Sequence, residues 1–122
     1  MGVSRREALD KGVESECLVA NKLLTNGWAI LARNWRGGRG ELDIVAEKGG
    51  CLRFIEVKSR PTFAAGIDSI TSVKKRRLLS AGESWLLRYG EPQKDVSFIL
   101  AVVVGNTADN RIEWLDDPFD GH

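Results

Sequence analysis

The segment Ile55-Glu56-Val57-Lys58 sets an acid and a base at alternate positions. On a strand, Glu56 and Lys58 share one face with Leu52 and Phe54, while Ile55 and Val57 point the other way. An acid and a base on a face that begins as core are either a quenched ion pair or a working site. In the second case the carboxylate holds a cation and the ammonium stabilises developing negative charge. Upstream, Gly49-Gly50 has the composition of a two-residue hairpin turn. That register makes Lys48 face Cys51, Asp43 face Glu56 and Glu41 face Lys58, with all four charged groups on one face. Directly opposed residues have Cβ atoms ~4.5–5.5 Å apart, and like charges there are destabilising. A divalent cation reverses the sign, because two carboxylates at that separation can share one ion with oxygen ligands at ~2.0–2.1 Å for magnesium. The ordinary alternative is a solvated strand face, which is what an isolated Glu-x-Lys usually marks.

These groups must be held by the surrounding elements. Ser4 and Glu7 have capping-box spacing and Asn26-Gly27 supplies a stop, so a helix is expected over 5–25. Its apolar stripe is Leu9, Val13, Cys17, Ala20 and Leu24, and at helical pitch Glu16 falls inside it, where burial without a partner is costly. Glu16 is therefore a candidate third carboxylate. Strands are expected at 28–35, 41–48 and 51–59, followed by a loop at 60–66. A second helix should begin between Asp68 and Thr71 and run to about Tyr89, closed by Gly90, with Leu78, Ala81, Trp85 and Tyr89 inward. The run 95–104 is apolar almost throughout, as in a strand buried on both faces at the centre of a sheet. Residues 111–115 make a short last strand, and a polar tail starts at about 116.

Lys74-Lys75-Arg76-Arg77 opens the second helix, where cations oppose the helix dipole and an anionic partner would relieve the cost. Lys74 shares the face of Leu78, Ala81 and Trp85 and leans inward; Lys75 and Arg76 fan outward. Arg36, Arg39 and Arg60 are expected in loops beside Asp43 and Glu56. Together these cations suit phosphates along a nucleic-acid backbone, the alternatives being a solvated helix end for the Lys74–Arg77 run and simple neutralisation of the acids by Arg36, Arg39 and Arg60. The four tryptophans read as core or edge packing.

The whole chain sets bounds on this chemistry. Its 122 residues suit a single domain, 1–122, with 43% hydrophobic and 29% charged residues. With 18 basic and 17 acidic side chains the formal charge is +1, so any nucleic-acid contact must come from local clusters. No apolar run approaches the ~20 residues of a membrane span and no signal-peptide pattern opens the chain, so the cytoplasm is the expected compartment. Cys17 and Cys51 lack metal-site spacing and are expected to be buried, reduced thiols. The one histidine, His122, leaves carboxylates and lysines to do the chemistry.

Taken together, SECLVANKLLTNGWAILARNWR, GRGELDIVAE, LRFIEVKSR and SVKKRRLLSAGESWL, spread over most of residues 15–104, resemble the YraN-like family of small bacterial proteins. That family is similar to the PD-(D/E)xK nuclease superfamily. The resemblance implies an α/β, restriction-endonuclease-like fold in which a central mixed β-sheet is flanked by α-helices. It also implies active-site acids at Glu16, Asp43 and Glu56, a lysine at Lys58, a metal-ligating carbonyl at Val57, and a match for Lys74 in the second helix. Ser15 stands where the family usually has Gly, and Ser97-Phe98-Ile99 where it often has Arg-Phe-Asp.

The leading expectation is a Mg2+- or Mn2+-dependent endonuclease hydrolysing DNA phosphodiester bonds, including branched or damaged DNA. An enzyme of this size that cuts both strands of a duplex would act as a homodimer. The alternative is a non-catalytic module that binds nucleic acid or recruits a partner. A purely structural protein would leave Glu16 and the Asp43–Glu56 pair without a purpose.

Overall fold

Helical spacing at the N-terminus, alternation around Gly49-Gly50 and the unbroken apolar run near the C-terminus become three helices and five strands. The computed structural model describes residues 5–91, 94–105 and 109–119. The order is α1 (Arg5–Thr25), β1 (Ala29–Gly37), β2 (Gly40–Lys48), β3 (Cys51–Arg60), α2 (Phe63–Asp68), α3 (Ser72–Tyr89), β4 (Asp95–Gly105) and β5 (Asn110–Asp116). The strands form one sheet in the order β1-β2-β3-β4-β5. All neighbours are antiparallel except β3 and β4, which run parallel over the full length from Cys51↔Asp95 to Arg60↔Val104. This is the mixed sheet flanked by helices that the restriction-endonuclease-like expectation requires.

Helix α1 covers one face, packing Val19, Ala20 and Leu23 on Ile44, Ala46, Ile55, Val57, Ile99, Ala101 and Val103. Helix α3 covers the other, with Leu78, Ala81 and Trp85 against Leu42, Val45, Leu52 and Phe54. On that second face Ile70 and Phe63 lie over Leu100, Val102 and Val104. Strand β4 thus alternates between two cores, which is why its sequence has no polar phase; it lies inside the sheet, one place from the centre.

Several expectations need correction. The loop at 60–66 contains α2: Thr62 caps it by accepting the Ala65 N–H, and Gly66 permits contact with Val102, whose Cγ2 would lie 2.5 Å from an added Cβ. In α1, Val13 and Leu24 are exposed, and the buried ridge is Val19, Ala20 and Leu23. The sheet crosses the helix on the side of the i, i+3, i+4, i+7 set that starts at Glu16, so the acid belongs to the packed face. The Ser4–Glu7 cap and the Leu9 side chain lie outside the described residues. Helix α3 ends at Gly90, as expected, but in extended backbone rather than a left-handed cap. Cys17 and Cys51 are free and only half-buried. Asp116 is the last residue of β5, the Asp117 N–H donates to the Phe98 carbonyl, and Phe119 packs edge-on against Phe98, so the expected tail is anchored there. Asp120 and the residues after it lie outside the described residues. No helix among the described residues is long and apolar enough to cross a membrane.

Candidate functional site

Strands β2 and β3 pair in the expected hairpin register from Lys48↔Cys51 to Ile44↔Ile55, where the ladder stops one step short of Asp43 and Glu56. Two irregularities account for the break. The pleat slips at Asp43, since Leu42 joins the α3-side core while Ile44 joins the α1-side core, although strict alternation would put both on one face. Opposite Asp43, between the Arg33↔Ile44 and Trp35↔Leu42 pairs, Asn34 adopts a positive φ of 51°. Asp43 is consequently not a member of a flat cross-strand pair. Its Oδ2 accepts the Val57 N–H at 2.8 Å, taking the place of a backbone acceptor. Glu41, expected opposite Lys58, pairs instead with Arg36 of β1 at 3.8 Å, because the β1–β2 ladder continues where the β2–β3 ladder has ended.

Glu56 is 4% exposed. Its Oε1 accepts two ammonium groups, Lys74 Nζ at 3.4 Å and Lys58 Nζ at 3.5 Å. Its Oε2 is buried with no hydrogen-bond partner among the described residues. Burial and, after it, the charge of Asp43 push the Glu56 carboxyl up to about 7, against the pull of Lys74 and Lys58. Burial likewise raises Asp43, opposed first by the Val57 N–H and then by the two lysines. Fully ionised, the two acids have no hydrogen to share; a proton bridging them is one remedy, and a divalent cation is the other.

Glu16 approaches from α1. Burial raises its carboxyl, Asp43 raises it further, and a hydrogen bond from Asn34 and the charge of Arg33 lower it. The structure therefore places Glu16 within electrostatic reach of Asp43 while tying it to β1. Among the described residues, no three His, Cys, Asp or Glu side chains converge closely enough to enclose an ion. Two carboxylates, one with an unsatisfied buried oxygen, nonetheless fit a cation of the magnesium type, which keeps several waters and needs only one or two protein carboxylates.

Beside the acids runs a groove of about 560 Å³ lined by Arg36, Arg39, Glu41, Lys74, Arg77 and Leu78 together with Gly37, Gly38 and Gly40. Its floor exists because the β1–β2 turn lies directly on α3. A Cβ on Gly40 would be 2.2 Å from the Arg77 carbonyl oxygen, and the Arg39 N–H donates to Ser80 Oγ. Arg39 and Arg77 continue into an adjoining depression with Arg76. Of the expected basic residues, Arg39 alone sits in a loop; Arg36 is on β1 and Arg60 ends β3 with its guanidinium turned back to the Ser59 carbonyl. Lys75 is half-buried and lines neither depression.

The sequence does not single out Asn34, Arg33 or the Asp43-to-Val57 bond. An asparagine between strand residues is a local sign of left-handed backbone, but nothing in the chain says that it faces Asp43.

Comparison with known proteins points to one family. The family described as "Uncharacterised protein family UPF0102" matches residues 15–104. A UPF0102 protein of Anaeromyxobacter dehalogenans is 36% identical over 118 residues, covering 95% of this chain and 87% of its own. One from Rhizobium etli is 40% identical over 87 residues, 71% of each chain. Another, from Legionella pneumophila, is 34% identical over 114 residues, 91% of this chain and 95% of its own.

Proposed function

The chain belongs to the uncharacterised protein family UPF0102, and from that premise we propose that it is a Mg2+- or Mn2+-dependent endonuclease that hydrolyses DNA phosphodiester bonds in the cytoplasm. The observation that carries this reading is the buried Asp43–Glu56 pair, in which the charge of Asp43 raises the Glu56 carboxyl, with Lys58 and Lys74 on Glu56 and a basic groove alongside.

Asp43 and Glu56 are the groups that would hold the ion, with the Val57 carbonyl as a further ligand. When bound, such an ion lowers the pKa of a water and offsets charge on a phosphoryl oxygen. Lys58, on the same strand face as Glu56, holds an ammonium where negative charge develops on the scissile phosphate. Glu16, hydrogen-bonded to Asn34 and within electrostatic reach of Asp43, would complete or orient the ion's shell from the α1 side. Arg36, Arg39 and Arg77 in the groove, with Arg76 beside it, bind the flanking phosphates. Arg60 and Lys75 are assigned to more distant phosphates. Cutting both strands of a duplex would require two such sites, hence a homodimer.

The test is Mn2+ titration of the protein and its Asp43→Asn variant, with duplex, single-stranded and branched DNA assayed for cutting in parallel. Metal binding lost in the variant, and metal-dependent cutting abolished by Asp43→Asn and by Lys58→Ala, are the expected results. Cutting that survives both substitutions would sink the assignment. The second reading, a non-catalytic nucleic-acid-binding module, is favoured by one observation: Glu56 already has two cationic partners. It predicts salt-sensitive binding with no metal requirement.

A further inference from the structure

Lys74 takes part in both halves of the site. Its ammonium lies 3.4 Å from Glu56 Oε1, and the same residue lines the groove with Arg36, Arg39 and Arg77. Its backbone is fixed, since the Lys74 N–H is held by the Thr71 side chain that caps α3. Its side chain is the freer of the two that reach Glu56, 34% exposed against 22% for Lys58. It also sits in the first turn of a helix with no acidic residue there, where the dipole disfavours a cation and nothing on the helix itself compensates.

Two acids and two ammoniums share this cluster, with both ammoniums on Glu56 Oε1. A divalent cation entering it meets two like charges, and Glu56 Oε1 is already occupied by both. Lys58 is the less exposed of the two and shares the strand face of Glu56, two residues away. Lys74 can leave, because a short swing of its side chain brings it to the groove that it already lines.

Resting on the reading above, we infer that Lys74 is a positioning residue that couples the two ligands: it occupies Glu56 in the free protein, and a phosphodiester backbone lying in the groove draws it away, so that nucleic acid and divalent cation strengthen each other's binding. By linkage the effect is equal in both directions. The protein is thereby kept from loading metal strongly until a substrate is present.

The experiment is calorimetric titration of Mn2+ into the full chain, alone and saturated with a duplex oligonucleotide carrying cleavage-resistant phosphorothioate linkages, with the oligonucleotide's own Mn2+ binding subtracted. The same titrations are made on Lys74→Met, which keeps the alkyl stem, and on Asp43→Asn. The expected result is that oligonucleotide tightens Mn2+ binding at least five-fold, the lower end of ordinary coupling. Lys74→Met should bind Mn2+ without oligonucleotide about as tightly as the unsubstituted protein does with it, and its coupling should fall toward one. The unsubstituted chain tests the coupling by itself even if the variant does not fold. Mn2+ binding that depends on Asp43 but is indifferent to oligonucleotide, or that weakens in Lys74→Met, overturns this inference and leaves the metal site standing. Mn2+ binding to neither form under either condition overturns both.

Discussion

Asp43 Oδ2 accepts the backbone N–H of Val57 at 2.8 Å, just past the point where the ladder between their strands ends at Ile44↔Ile55. One carboxylate thus holds two strands together where their backbones part, and burial raises its carboxyl while its charge raises that of Glu56. The bond gives Asp43 a structural task separable from any chemistry. Asp43→Asn retains an oxygen acceptor for the Val57 N–H, whereas Asp43→Ala strands a buried donor at a cost of ~1–3 kcal/mol. Urea unfolding without divalent ions should therefore rank Ala well below Asn in stability, and equal midpoints would contradict the bond's importance.

The pH dependence follows from the raised carboxyls. Glu56 titrates at about 7 in the folded chain against 4.5 for the ordinary group. The folded state therefore binds the proton more tightly, so its contribution is fully present below about 4.5 and is lost as pH rises through 7. Asp43 and Glu16 shift in the same direction. Without metal, stability should fall between pH 5 and pH 8 by on the order of 3 kcal/mol. Glu56→Gln should flatten that slope, and Mn2+ should restore the unsubstituted protein at pH 8. A stability that climbs over this interval would refute the assignment.

Two glycine substitutions should act in opposite directions. Gly40→Ala puts a Cβ 2.2 Å from the Arg77 carbonyl, so the β1–β2 turn must lift from α3, at a cost of ~2 kcal/mol or more. Gly12→Ala meets nothing within 4 Å inside α1 and should stabilise by ~0.5–1 kcal/mol through helix propensity. Thermal melts of the two variants decide both points.

The basic groove has a separate signature. Arg36→Ala, Arg39→Ala and Arg77→Ala should each weaken nucleic-acid binding in every sequence context and lower the slope of log K against log salt by about 1. Lys75→Ala, outside the groove, should change the slope less. Fluorescence anisotropy at several salt concentrations measures both, and an unchanged slope in all three arginine variants would remove the groove from the binding surface.

Local and periodic properties were legible in the sequence because short-range physics sets them. The Gly49-Gly50 turn, the β2–β3 register as far as Ile44, the long apolar β4 and the span of α1 follow from turn chemistry, alternation and helical pitch. Glu16, Glu56 and Lys58 could be chosen as candidates because each is a charge at a position whose period calls for core, and Asp43 because the hairpin register opposes it to Glu56. What tertiary structure alone decided was where those charges go when regular pairing stops. The pleat slips at Asp43, Asn34 turns to positive φ, Glu41 goes to Arg36, and Lys74 crosses from α3 to Glu56. A period-two rule holds only while the ladder continues, and the packing of a helix over a sheet depends on residues remote in the chain. The acids could be picked out from the amino-acid order; their partners required the fold.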